Sequence, residues 1–156
     1  MKEQKVFTIE DVIEAPIELV FDCINDDEKI KQWNELLIEN IYPSREAKEA
    51  ALPGTKFQTV QLVGKKVFTI DSELIEFAAP HLIVMNSYSK EGTSITRYKL
   101  NQENKSTRLT LESSMIPSNL YYLILTKMTG WLAKFAFQEQ FEKLKDYVEE
   151  EQEYGA

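Results

Sequence analysis

Apolar and polar residues alternate from about Lys5 to Glu14, in a run rich in Val, Ile, Phe and Thr. Alternation with period two and β-branched side chains predicts a strand. Ala15-Pro16 ends it. Proline has its φ preset and no N–H to leave unsatisfied, so it suits the first position of a helix. Ile17, Val20, Phe21 and Ile24 then recur at helical spacing, with Glu18 and Asp22 on the opposite side. Asn25-Asp26-Asp27 stops this helix and offers an N-cap to a second, in which Ile30, Trp33 and Leu37 share a face.

Leu36 to Tyr42 reads as another strand, and Arg45 to Ala51, charged and alanine-rich, as a helical turn before Pro53-Gly54. Five alternating runs follow, each closed by turn residues: Thr55 to Val63, Val67 to Phe77, Leu82 to Ser89, Thr93 to Leu100 and Ser106 to Met115. Short links between neighbours imply an antiparallel meander. Pro117-Ser118-Asn119 opens a helical stretch that runs to about Glu150. The order is one strand, two helices, six strands and a long helix, an α+β architecture with helices on one side of an antiparallel sheet. No repeat or composition break divides the chain, so residues 1–150 form one domain and residues 151–156 a solvated acidic tail.

Alternation also assigns faces. Arg108, Thr110 and Glu112 point one way, leaving Leu109, Leu111, Ser113 and Met115 on the other. Arg97 and Lys99 point out, so Thr96, Tyr98 and Leu100 point in; Asp71 and Glu73 likewise turn Phe68, Ile70, Ser72 and Leu74 inward. An apolar wall with a few hydroxyls suits a ligand pocket, or else a filled core whose hydroxyls satisfy one another. The long helix carries two apolar stripes. Phe137, Phe141, Leu144 and Val148 form one; Tyr121, Leu125, Met128, Leu132 and Phe135 form another about half a turn away, flanked by Ile124 and Trp131. Either Gly130 breaks or bends the helix, or its first half is covered by something besides the sheet. That half reads as a lid over the cavity, a dimer contact, a membrane-touching face (Trp131, Lys127 and Lys134 are interfacial types), or a helix buried on two sides.

Composition narrows the chemistry. A net charge of −8 and scattered arginines (Arg45, Arg97, Arg108) argue against a nucleic-acid partner. The longest purely apolar run, Leu120 to Leu125, is far too short to span a bilayer, and the first residues lack a signal-peptide core, so a cytoplasmic address is expected. One cysteine, Cys23, excludes an internal disulfide, and one histidine, His81, excludes a histidine-clustered metal site. His81 sits in a turn and Cys23 on a short apolar helix, so neither reads as a catalytic group. No nucleophile elbow, phosphate loop or dinucleotide fingerprint is present, and no metal or cofactor is expected.

Particular residues add a resemblance. Ile13-Glu14-Ala15-Pro16 leads into Val20-Phe21, then an acidic turn and Trp33. Pro53-Gly54-Thr55 precedes a strand, Ser106-Thr107-Arg108 opens the last strand, and Phe141-Glu142-Lys143-Leu144-Lys145 lies on the closing helix. In order and spacing, along nearly the whole chain, this resembles the SRPBCC or START-like superfamily, which includes polyketide cyclases, lipid-transfer START domains and pollen-allergen relatives. Two departures stand out: Asp27 and Glu35 occupy positions where that superfamily often has proline.

The resemblance implies a helix-grip fold, a curved sheet of about seven strands wrapped around the C-terminal helix, with an apolar ligand in a deep cavity between them. The lining residues expected on that basis are Trp33, Phe68, Ile70, Ser72, Tyr98, Leu109, Leu111, Ser113, Met128, Trp131 and Phe135. Three functions remain open: a carrier of a lipid, polyketide or aromatic molecule; a cyclase, dehydratase or isomerase using Tyr98, Ser113 or a buried carboxylate; and a protein-interaction or chaperone-assisting module working through the apolar face of residues 120–135, as a monomer or a homodimer.

Overall fold

A computed structural model describes residues 1–155. Strand β1 (Gln4–Ile13) is followed by helices α1 (Ile17–Asn25) and α2 (Asp27–Trp33), strand β2 (Leu37–Ile41) and the short helix α3 (Arg45–Ala50). Strands β3 (Lys56–Val63), β4 (Lys66–Ala78), β5 (Leu82–Ser89), β6 (Gly92–Glu103) and β7 (Ser106–Pro117) lead into helix α4 (Leu120–Gly155). The strands form one antiparallel sheet in the order β1-β7-β6-β5-β4-β3-β2, so β1 joins the end of the meander and β2 its start. This is the expected α+β helix-grip arrangement. The acidic end belongs to the last turns of α4, whose helix continues to Gly155.

Local chemistry sets the helix starts. Pro16 is the N-cap of α1, one residue earlier than its preset φ suggested, and the free N–H of Ile17 is taken up by Gln102 Oε1 at 2.9 Å. Asp26 caps α2 by accepting from Glu28 N and Lys29 N, and Ser44 caps α3 by accepting from Ala47 N. Residues of the superfamily pattern meet across the fold: the buried Thr107 hydroxyl donates to Ala15 O at 2.8 Å, and Ser106 to Glu14 at 2.7 Å. Trp33 donates to Cys23 O at 2.9 Å, tying α2 to α1.

Helix α4 runs along β1. Gly130 lies against Val6, the Phe137 and Phe7 rings are 5.1 Å apart, Lys145 pairs with Asp11, and Glu149 accepts from Glu14 N. Gly130 to Glu149 rises about 28 Å and Val6 to Glu14 extends about 26 Å, so helix and strand stay in step. The filled core sits at the C-terminal end of this contact, where Phe141, Leu144 and Val148 meet Ile13, Val20, Leu100 and Leu109.

Candidate functional site

Because α4 rests on β1 and β7, the middle of the sheet has no helix packed above it among the described residues. A cavity of about 510 Å³, partly open to solvent, occupies that space. It lies within the roughly 300–1,000 Å³ range of small-molecule sites. Its floor is built from cross-strand rows. Ser72, Ser87 and Ser94 align across β4, β5 and β6; Leu74, Met85, Thr96 and Ser113 form the next row; Ile83 and Tyr98 the next. The roof is the inner side of α4, where Thr126, Thr129, Gly130, Ala133 and Phe137 face the space. Trp33, Ile30 and Ile24 close one end.

Three sets of polar groups stand out on the cavity wall. Ser72 Oγ stands 3.4 Å from Thr59 Oγ1 and 3.3 Å from Ser87 Oγ, so these hydroxyls largely satisfy one another. Asp27, 6% exposed, carries the second set: its Oδ1 accepts from Asn40 at 2.9 Å and from the Tyr42 hydroxyl at 3.5 Å, and its Oδ2 pairs with Lys48 Nζ at 3.2 Å. Burial, reinforced by the Asp27 charge, pushes the Tyr42 hydroxyl well above the usual phenol range and keeps it protonated. The third set is Tyr98 alone. Desolvation pushes its hydroxyl up to about 12, and among the described residues it makes no hydrogen bond. At neutral pH it stays a donor aimed at whatever enters the cavity.

Of the expected lining residues, Trp33, Ile70, Ser72, Tyr98 and Ser113 come together on this wall. The others lie elsewhere. Leu109 and Leu111 are on the inner face as assigned, but α1 and α4 cover them, and they are core residues 0% and 4% exposed. Phe68 has the inward parity, yet it stands on the part of β4 that runs past the end of β5, and it is 44% exposed. Met128, Trp131 and Phe135 point outward from α4, at 67%, 69% and 74% exposure. The helix is continuous through Gly130, and the exposed stripe has no partner among the described residues.

The cavity face of α4 continues the Phe137–Val148 stripe backwards by whole turns, to Ala133, Gly130 and Thr126. A search for large apolar residues passes over that face because a cavity roof needs small ones. Asp27 and Lys48 were likewise missed, although Asp27 stood out as a departure from proline. His81 is exposed, with Nδ1 3.2 Å from Leu100 O, and Cys23 is buried behind the cavity wall, its thiol pushed up to about 11 by desolvation. Among the described residues no three His, Cys, Asp or Glu side chains converge to hold a metal.

The fold is shared widely. A protein of unknown function, SA2116 from Staphylococcus aureus, superposes with a TM-score of 0.73 at 16% identity, covering 97% of each chain. Ara h 8.0201 gives 0.71 at 12% identity over 94% of this chain and 98% of that one. TTHA0849 from Thermus thermophilus gives 0.67 at 18% identity over 94% and 97%. No curated protein sequence matches the chain. Residues 14–149 match the family described as Activator of Hsp90 ATPase homolog 1-like protein. With that match spanning all but the two ends, the chain belongs to the Activator of Hsp90 ATPase homolog 1-like family and has the SRPBCC, START-like fold.

Proposed function

We propose that the protein binds an apolar small molecule, of lipid, polyketide or aromatic type, in the cavity between the sheet and α4. The observation that carries this reading is the cavity of about 510 Å³, walled by Ile70, Leu74, Ile83, Met85 and Phe137, into which Tyr98 directs an unpaired hydroxyl. Apolar walls supply the binding free energy, and the Tyr98 hydroxyl orients a carbonyl, hydroxyl or carboxylate of the ligand. The Asp27–Lys48 pair marks a second polar point on the wall.

A cyclase or dehydratase acting in the same cavity is the second reading. It is favoured by the buried Asp27 carboxylate bordering the same space as Tyr98. Here Tyr98 would hold the substrate oxygen as a neutral donor, since a phenol near 12 is a poor base at neutral pH.

Native mass spectrometry of freshly purified protein tests the binding reading, with Ala133→Phe as the comparison because that side chain would enter the cavity from α4. A discrete adduct on the parent that is lost in the variant, with circular dichroism unchanged, is expected. Parent protein that carries no adduct and takes up neither a long-chain fatty acid nor a planar aromatic probe would overturn it. Turnover of the adduct compound on incubation separates the second reading from the first.

A further inference from the structure

Two segments at one end of the sheet carry exposed apolar side chains and no acidic residue. On α4 the exposed residues include Tyr121, Met128, Trp131 and Phe135, and on the β3–β4 hairpin they are Leu62, Val63, Val67 and Phe68. In a chain of net charge −8, no Asp or Glu occurs between Glu49 and Asp71 or between Glu112 and Glu139. Those intervals instead hold Lys56, Lys65, Lys66, Lys127 and Lys134.

Register brings the two segments to the same end. The last β4–β5 pair is Asp71 with Tyr88, and the β3–β4 hairpin continues past it to Val63 and Lys66. The β5–β6 turn at that end holds the start of α4, through Ser118 N to Glu91 O at 2.9 Å and Ser118 Oγ to Lys90 O at 2.6 Å. Glu91 is the acid in that turn, beside Lys90. Both segments also border the cavity, β3 and β4 through Gln61 and Ile70, and α4 through Thr126 and Thr129.

We propose that this end of the molecule, formed by the β3–β4 hairpin tip and the first half of α4, docks on the surface of an anionic lipid bilayer. Aromatic and aliphatic side chains interleaved with lysines, with no carboxylate within either segment, match a headgroup region that is apolar below and negatively charged above. Lys66 shows the pattern locally, its Nζ 6.0 Å above the Phe68 ring. A second copy of the chain, related by a two-fold axis, would set two lysine-bearing segments with no carboxylate of their own against each other. The contact is peripheral, since among the described residues no helix is long and apolar enough to cross a membrane. Docking would place the cavity's rim at the lipid surface, and it stands whether or not the cavity holds a ligand.

The test is flotation of the full chain with phosphatidylcholine vesicles, with and without phosphatidylglycerol, at low and high salt. Expected are binding at least about tenfold stronger to the phosphatidylglycerol vesicles, weakening with salt, and a blue shift of emission that is lost in Trp131→Phe. Phe68→Ser combined with Phe135→Ser should reduce the binding at both salts, while Lys65→Gln, Lys66→Gln, Lys127→Gln and Lys134→Gln together should remove the preference for the anionic lipid. All of these side chains are exposed, so circular dichroism should not change. Failure to float with either vesicle, or variants that float like the parent, would overturn the proposal. A concentration-dependent dimer that dissociates in Phe135→Ser, without vesicle binding, would assign the surface to a second copy instead.

Discussion

Gly130 of α4 lies directly against Val6 of β1: a methyl group at 130 would stand 3.4 Å from Val6 Cγ1 and 3.6 Å from Val6 O. Val6 sits at the β1 bulge between Lys5 and Phe7, so the strand approaches the helix where its own register shifts and where the helix carries no side chain. This contact seats the first half of α4 over the cavity and turns Trp131 and Phe135 to the outside.

Gly130→Ala is expected to be stabilising. The added methyl reaches ordinary contact distance without overlap, and replacing glycine inside a helix gains about 0.5–1 kcal/mol. Gly130→Leu should be destabilising, because a branched side chain there has to displace β1 or α4. Urea denaturation of both variants checks the contrast, and a destabilised alanine variant would mean that α4 and β1 pack too tightly at this point to admit a methyl group.

Tyr98→Phe should leave stability within about 0.5 kcal/mol of the parent, since the hydroxyl has no hydrogen-bond partner to lose among the described residues. Affinity for the cavity's ligand should fall about five- to tenfold, the worth of one hydrogen bond of about 1 kcal/mol. Calorimetric titration with the compound recovered from native protein measures it. Because the phenol ionises only near 12, the parent's affinity owes no pH dependence to Tyr98 between neutrality and pH 10.

Asp27 should matter for folding. Asp27→Ala leaves Asn40, Tyr42 and Lys48 without their shared acceptor, at a cost of about 1–3 kcal/mol, kept in that range because Lys48 is half exposed and regains water. Asp27→Pro is the sharper comparison. Position 27 opens α2, and Asp26 before it is extended at φ −80 and ψ 118, a geometry that proline accepts. The proline variant should therefore lose about as much stability as the alanine variant and keep the helix, as read by denaturation and circular dichroism.

Cys23 should react slowly with Ellman's reagent at pH 8 in the native state and at once in urea. Desolvation lifts the thiol from an ordinary 9.0 to about 11, so little thiolate forms until the chain opens. The linked effect has a definite sign. The folded state holds this proton more tightly than the unfolded state, so stability should fall as pH rises from about 9 towards 11, and Cys23→Ala should remove that part of the alkaline loss. Equal thiol reactivity in both states would contradict the burial.

Most of the fold was legible along the chain because its signals are local. Alternation marks each strand, Pro16, Asp26 and Pro53-Gly54 mark boundaries, and short links leave the meander few ways to pair. The inner faces of β4, β6 and β7 also follow from alternation, which is why Ser72, Tyr98 and Ser113 could be placed on the cavity wall. Thr107 and Ala15 belong to motifs recognisable in order and spacing, although nothing in the sequence says that one donates to the other.

What α4 does with its two stripes was settled only by tertiary packing. Hydrophobicity favours Met128, Trp131 and Phe135 for burial, but the helix is held by Phe141, Leu144 and Val148 at one end and by Gly130 on Val6 near the middle, and those contacts fix its rotation. A rigid helix then has one inward face along its whole length, so Ala133, Gly130 and Thr126 turn inward and the larger residues turn out. Leu109 and Phe68 show the same limit on the strands: parity names a face, while the covering element decides whether that face is core, cavity or open surface. The Asp27, Asn40, Tyr42 and Lys48 cluster is assembled from α2, β2, the segment after it and α3, and only the folded chain brings those side chains within hydrogen-bonding reach.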